Sequence, residues 1–144
     1  MSDVINKLTL AGRLERIEDN PGLVKALLRD SRAHLRSSIA LKQPSDVVGA
    51  YQLAYDSVRK ACAAAIATQG LRVTSRGGHQ TLFFCSSEVF SELAVVADEL
   101  NMAREKRNLV EYPTLTFYEP SMKELTDVIS LAIAILKVVK KLVA

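Results

Sequence analysis

The residues best placed to do chemistry continue an apolar stripe. A helix advances about 100° per residue, so Leu93, Ala97, Leu100, Arg104, Arg107 and Glu111 share one side of the segment from Ser87 to Glu111. The first three belong to a core. The charged residues that follow must then meet the rest of the bundle or a partner, where an unpaired charge is costly. Two arrangements answer these arginines. In the structural one, Glu111, one turn after Arg107, or an acid such as Asp56 on a neighbouring helix pairs with a guanidinium, and the helix dipole favours cations near a C-terminus. In the other, the arginines line a cleft for phosphate, because a guanidinium presents a planar fork of donors and keeps its charge.

A second cluster is Thr74-Ser75-Arg76-Gly77-Gly78-His79. Two glycines allow close backbone approach where a short helix begins, and free amides at a helix start attract anions. Arg72, Arg76 and His79 add positive charge there, although a Ser cap followed by glycines also serves as a plain turn and His79 as a plain surface residue. Tyr51, Tyr55 and Arg59 recur every fourth residue, which sets two hydroxyls and a cation along one ridge; aromatics so spaced read as core residues with a wet tip. His34 lies on the flank of an apolar stripe and reads as structural. The sequence has no P-loop, no G-x-S-x-G elbow and no paired metal-ligand motif, which disfavours the familiar nucleotide hydrolases and zinc enzymes. No metal and no cofactor are expected.

The elements that must position these groups are helices. Breakers fall at Asn20-Pro21-Gly22, Gln43-Pro44-Ser45, Gly70, Gly77-Gly78, Pro113 and Pro120, and the runs between them have helical periodicity. The spacing predicts helices over Leu23 to Leu41, over Ser45 to Gln69 with Ser45 as N-cap, from about Gly77 to Ser86 with Ser75 as N-cap, from Ser87 to Glu111, and from Ser121 to Val143. The last is apolar around most of its circumference, which suits a central helix or one shared with a second subunit. Leu71 to Arg76 reads as a loop, and Leu115 to Tyr118 is the one ambiguous strand. The expectation is an all-α, up-and-down bundle of about four to six helices.

At 144 residues the chain reads as a single domain, 1–144, able to bury a core without disulfides or metals. It is 49% hydrophobic and 24% charged, which excludes disorder and fibrous repeats. A net charge of +3 is too small for a nucleic-acid packager, so any polyanion site must be local. Cys62 and Cys85 stand inside apolar helical patterns with no Cys/His cluster around them and read as buried thiols. The N-terminal MSDVINKLTL lacks the basic and apolar regions of a signal peptide, and Leu131 to Leu136 is far short of a membrane span. A cytoplasmic protein without a membrane partner is expected.

Arg107-Asn108-Leu109-Val110-Glu111-Tyr112 resembles the signature of the HEPN superfamily (higher eukaryote and prokaryote nucleotide-binding domains), in which Arg, often followed by Asn, precedes a His four to six residues later. Tyr112 stands where that histidine would be. Ala50 to Ala61, Gln69-Gly70-Leu71-Arg72, Thr74 to His79, Lys106-Arg107-Asn108 and Glu111-Tyr112-Pro113 extend the likeness, in order, to a bacterial HEPN-like branch spanning about Leu23 to Val139. The resemblance implies a homodimer with facing arginine motifs that binds RNA or a nucleotide. Many members are metal-independent endoribonucleases of toxin–antitoxin pairs, often partnered by a small nucleotidyltransferase; others are non-catalytic. Carried over, Arg107 would stabilise charge on the phosphate, Asn108 would orient it and Tyr112 would take the histidine's place; Arg104 from the stripe, and Arg76 and His79 from the glycine cluster, are the further candidate phosphate contacts. A phenol with pKa near ~10 is a poor base at neutral pH, so the resemblance implies binding with impaired or absent catalysis. Tyr112 or Tyr118 could also accept a modification from the nucleotidyltransferase. The alternative is a non-catalytic dimeric interaction module in which Arg104, Arg107 and Glu111 form a structural ionic cluster.

Overall fold

A computed structural model describes residues 3–42, 46–112 and 118–143. The protein is an all-α helical bundle with one small two-stranded antiparallel sheet. Its elements are α1 (Asp3–Leu10), β1 (Leu14–Arg16), α2 (Pro21–Leu41), α3 (Val47–Ala67), β2 (Leu71–Val73), α4 (Gly78–Val89), α5 (Ser91–Ala94), α6 (Ala97–Glu111) and α7 (Met122–Val143).

Helix α3 is the centre of the bundle, packed against α2, α4, α6 and α7. Its sequence explains why. Ala50, Ala54, Ala61, Ala64 and Ala65 are fully buried and let neighbouring helices approach closely, while Tyr51, Tyr55, Val58 and Ile66 fill the volume between them. The α2–α3 contact is close enough for Ser31 Oγ to donate to the Ser57 carbonyl at 2.7 Å and Ser38 Oγ to the Ala50 carbonyl at 2.6 Å. Cys62 and Cys85 are buried free thiols, and burial raises both, to about 12 and about 11. On α7, Leu125, Ala132, Ile135 and Val139 face this core.

Local signals set the helix ends. Asn20 Oδ1 accepts from the Leu23 amide at 3.0 Å, with Pro21 in the first turn. Ser121 and Glu124 form a reciprocal capping box at the start of α7. Ser45 lies outside the described residues; the N-cap of α3 is Asp46, which accepts from the Gly49 amide at 2.9 Å. Leu115 to Phe117 also lie outside them, and Tyr118 is in no regular element.

Two differences from the sequence reading raise the helix number among the described residues to seven. The predicted helix from Ser87 to Glu111 is broken. Phe90 is extended (φ −122°, ψ 117°), α5 is a single turn, and Val96 (φ −106°, ψ 19°) separates it from α6. The β-branched pair Val95-Val96 favours the second break, and the redirected chain still buries both Leu93 and Leu100. The second difference is at the N-terminal end, where α1 and β1 form. β1 pairs antiparallel with β2, Glu15 opposite Arg72, so the segment read as a loop opens with a strand.

Candidate functional site

Helices α4 and α6 meet at an open cleft of about 260 Å³. The start of α4 supplies Gly77, Gly78, His79 and Gln80; the end of α6 supplies Arg104, Arg107, Asn108 and Tyr112. The two clusters singled out in the sequence therefore form one site, apart from Arg76. That side chain is exposed and does not line the cleft; its Nη1 points toward Gly12, 3.8 Å from where a β-carbon there would lie.

The glycines do a different job from the one their sequence implies. The Gly77 amide donates to the Thr74 carbonyl at 3.0 Å and that of Gly78 to the same carbonyl at 3.3 Å, so neither is free for a ligand. A β-carbon on Gly77 would collide with the Arg13 carbonyl, and Gly78 holds φ +65°. The pair thus seats α4 against the residue that leads into β1. Ser75 does not cap α4, which has no side-chain cap. The first-turn amides that an α-helix leaves without internal acceptors then fall at His79 and Gln80, on the cleft.

The arginines are half-buried, and among the described residues neither lies within ion-pair distance of an acid. Glu111 is exposed, and Asp56 pairs with Arg59 at 3.5 Å. Arg104 donates to Asn101 Oδ1 at 2.9 Å. Arg107 instead rests on an aromatic face, its guanidinium carbon 5.7 Å from the centroid of the Tyr55 ring. The Asn108 side-chain amide, half-buried, makes no hydrogen bond among the described residues. Tyr112, the C-cap of α6, donates its amide to the Asn108 carbonyl at 3.0 Å, and its ring stands 67% exposed at the rim, able to contact a ligand.

Tyr55 is the residue that sequence reasoning undervalued. It is fully buried, and its hydroxyl lies 2.7 Å from His79 Nδ1. Burial raises its pKa well above the usual phenol range despite Arg107, Arg59 and Arg104 nearby. Burial, then the Arg59 and Arg107 charges, push His79 down to about 4. His79 is therefore neutral at pH 7, with Nδ1 fixed and Nε2 left for a ligand. If Tyr55 donates, Nε2 carries a hydrogen for a phosphate oxygen; if Nδ1 donates, Nε2 is a base. The four-residue spacing of Tyr51, Tyr55 and Arg59 was the available signal, but the contact to His79 is non-local.

Arg59 and Arg72 nearby already have acidic partners. A groove of about 400 Å³ shares Gly78 and His79 with the cleft, but its Arg59 pairs with Asp56 and its Arg72 with the cross-strand Glu15. His34 Nε2 accepts from Lys60 at 2.8 Å between α2 and α3, a structural contact. Tyr118 lies away from the cleft; it donates to Glu124 at 2.8 Å beneath Lys106, which also pairs with Glu124. Partial burial disfavours the Glu124 carboxylate, but bonds from Lys106, the Ser121 amide and Tyr118 outweigh it and lower its pKa to about 2. Among the described residues no group of three or more His, Cys, Asp or Glu is placed to hold a metal ion, and no helix is long and apolar enough to cross a membrane.

Fold and site together define a helical bundle carrying a compact, acid-free cationic cleft. No protein-family model, curated protein or solved structure matches the chain.

Proposed function

We propose that the cleft between α4 and α6 binds a phosphate group of RNA or of a nucleotide. One observation carries this reading: Arg104 and Arg107 line the same cleft as Asn108 and the uncapped start of α4, with no acid among the lining residues. A phosphate takes a planar guanidinium fork, a neutral amide donor and helix-start amides at once. His79 supplies a further donor through Nε2 when Tyr55 donates to Nδ1. It is also the cleft's one imidazole, but with its pKa held down to about 4 it is as poorly matched to proton transfer at neutral pH as the Tyr112 phenol, which favours binding over cleavage.

The HEPN resemblance points to the same motif and extends the reading to a homodimer with facing clefts, and to a small nucleotidyltransferase as a protein partner. Binding is the core of the proposal and cleavage an addition to it. Backbone and side-chain NMR during titration with adenosine monophosphate, then with a short RNA, tests it. The expected shifts centre on His79, Gln80, Arg104, Arg107 and Asn108. Shifts that bypass these residues, or no shifts, would refute the assignment.

A further inference from the structure

Helices α2 and α7 leave a second groove, of about 310 Å³, that shares no residue with the cleft. Its floor is apolar, made by Leu35, Leu136 and an Ile133 that stays 40% exposed. Its rims are cationic: Arg32 and Arg36 on α2, Lys137 and Lys140 on α7. No acid lines it, and among the described residues none of these cations makes an ion pair. What sets the groove apart is that four such cations flank one apolar floor. Like charges one turn apart repel one another, so each rim is unfavourable until an anion faces it.

We propose that this groove docks an acidic amphipathic helix of a partner protein. A helix laid between two others presents apolar residues at i, i+3 and i+4 to the floor. Its flanking carboxylates recur every turn, about 5 Å, which matches the one-turn spacing of Arg32 with Arg36 and of Lys137 with Lys140. Charge argues against a second copy of this chain, because an isologous contact would set the cations against themselves. Nucleic acid fits less well: its phosphates would meet the rims, but the aliphatic floor offers them no donor. A flat bilayer would leave the recessed floor uncovered.

The test uses fluorescence anisotropy with a labelled helical peptide of about 18 residues, long enough to fold in part alone, with Leu on one stripe and Glu on both flanks. A scrambled peptide of equal composition and a Lys-for-Glu version serve as controls. The Leu/Glu peptide should bind at least ~tenfold tighter than the scrambled one. The doubly reversed Arg36→Glu, Lys137→Glu protein should lose that preference and bind the Lys version instead. Both substitutions are at exposed positions, and circular dichroism checks that the variant folds. Absence of peptide binding, equal binding of the scrambled peptide, or no effect of reversal would overturn the proposal. So would finding that the same two residues instead govern binding to a short RNA or to phosphatidylserine vesicles.

Discussion

His79 Nδ1 lies 2.7 Å from the hydroxyl of the fully buried Tyr55, which fixes the one imidazole of the cleft from below. Because Arg107 sits over the same tyrosine ring, the three side chains form a stack running from the core to the site. The cleft's chemistry is thus set from inside the bundle.

Acid should weaken the fold through His79. Its folded pKa is depressed to about 4, from an ordinary 6.5. Between these values the unfolded chain takes up a proton that the native state refuses, so the stability present above pH ~6.5 is lost as pH falls toward ~4. The group is only partly buried, so the effect should be about 1–2 kcal/mol rather than the full shift. Thermal melts from pH 7 to 4 check this, and His79→Gln should flatten the curve in the upper part of that window. A bound phosphate should raise the His79 pKa, and binding should strengthen as pH falls.

Tyr55→Phe should free Nδ1 and cost about 1 kcal/mol through the lost hydrogen bond. The fold should survive, since the ring is retained. Imidazole NMR should show faster tautomer exchange and a changed His79 pKa.

Arg107→Ala should change stability little, by about 1 kcal/mol, the scale of a cation–π contact. A buried ionic cluster would instead cost about 3–5 kcal/mol when one partner is removed. Denaturant melts separate the two.

Gly77→Ala should destabilise by about 1–3 kcal/mol, because a β-carbon there meets the Arg13 backbone and Val73 rather than open space. Weakened ligand binding should accompany it, as the start of α4, which carries His79 and Gln80, is displaced from its seat.

The chain announces its helices through local signals: the Asn20 cap before Pro21, the Ser121–Glu124 capping box and the apolar stripes of α2, α3 and α7 are all legible as spacing. Elements decided by distant contacts are not. β1 and β2 are three residues each and pair across the length of α2 and α3, so neither carries a period. The breaks around α5 leave the apolar stripe of Leu93 and Leu100 intact, which hides them from periodicity. Of the site, Arg104, Arg107, Asn108, Tyr112 and His79 were readable as residue types, but their convergence depends on how α4 packs on α6. The position of Arg76 outside the cleft and the engaged glycine amides have the same origin, since Thr74 and the residue before β1 claim the turn that the sequence offers to a ligand.

The most direct test of the phosphate cleft is the affinity of the protein for a short RNA, measured by anisotropy at fixed salt and compared with Arg107→Ala. A guanidinium gripping a phosphate contributes about 1–3 kcal/mol, so the variant should bind about 10- to 100-fold more weakly and show a shallower salt dependence. Equal affinity and an unchanged salt slope in a folded Arg107→Ala protein would contradict the account.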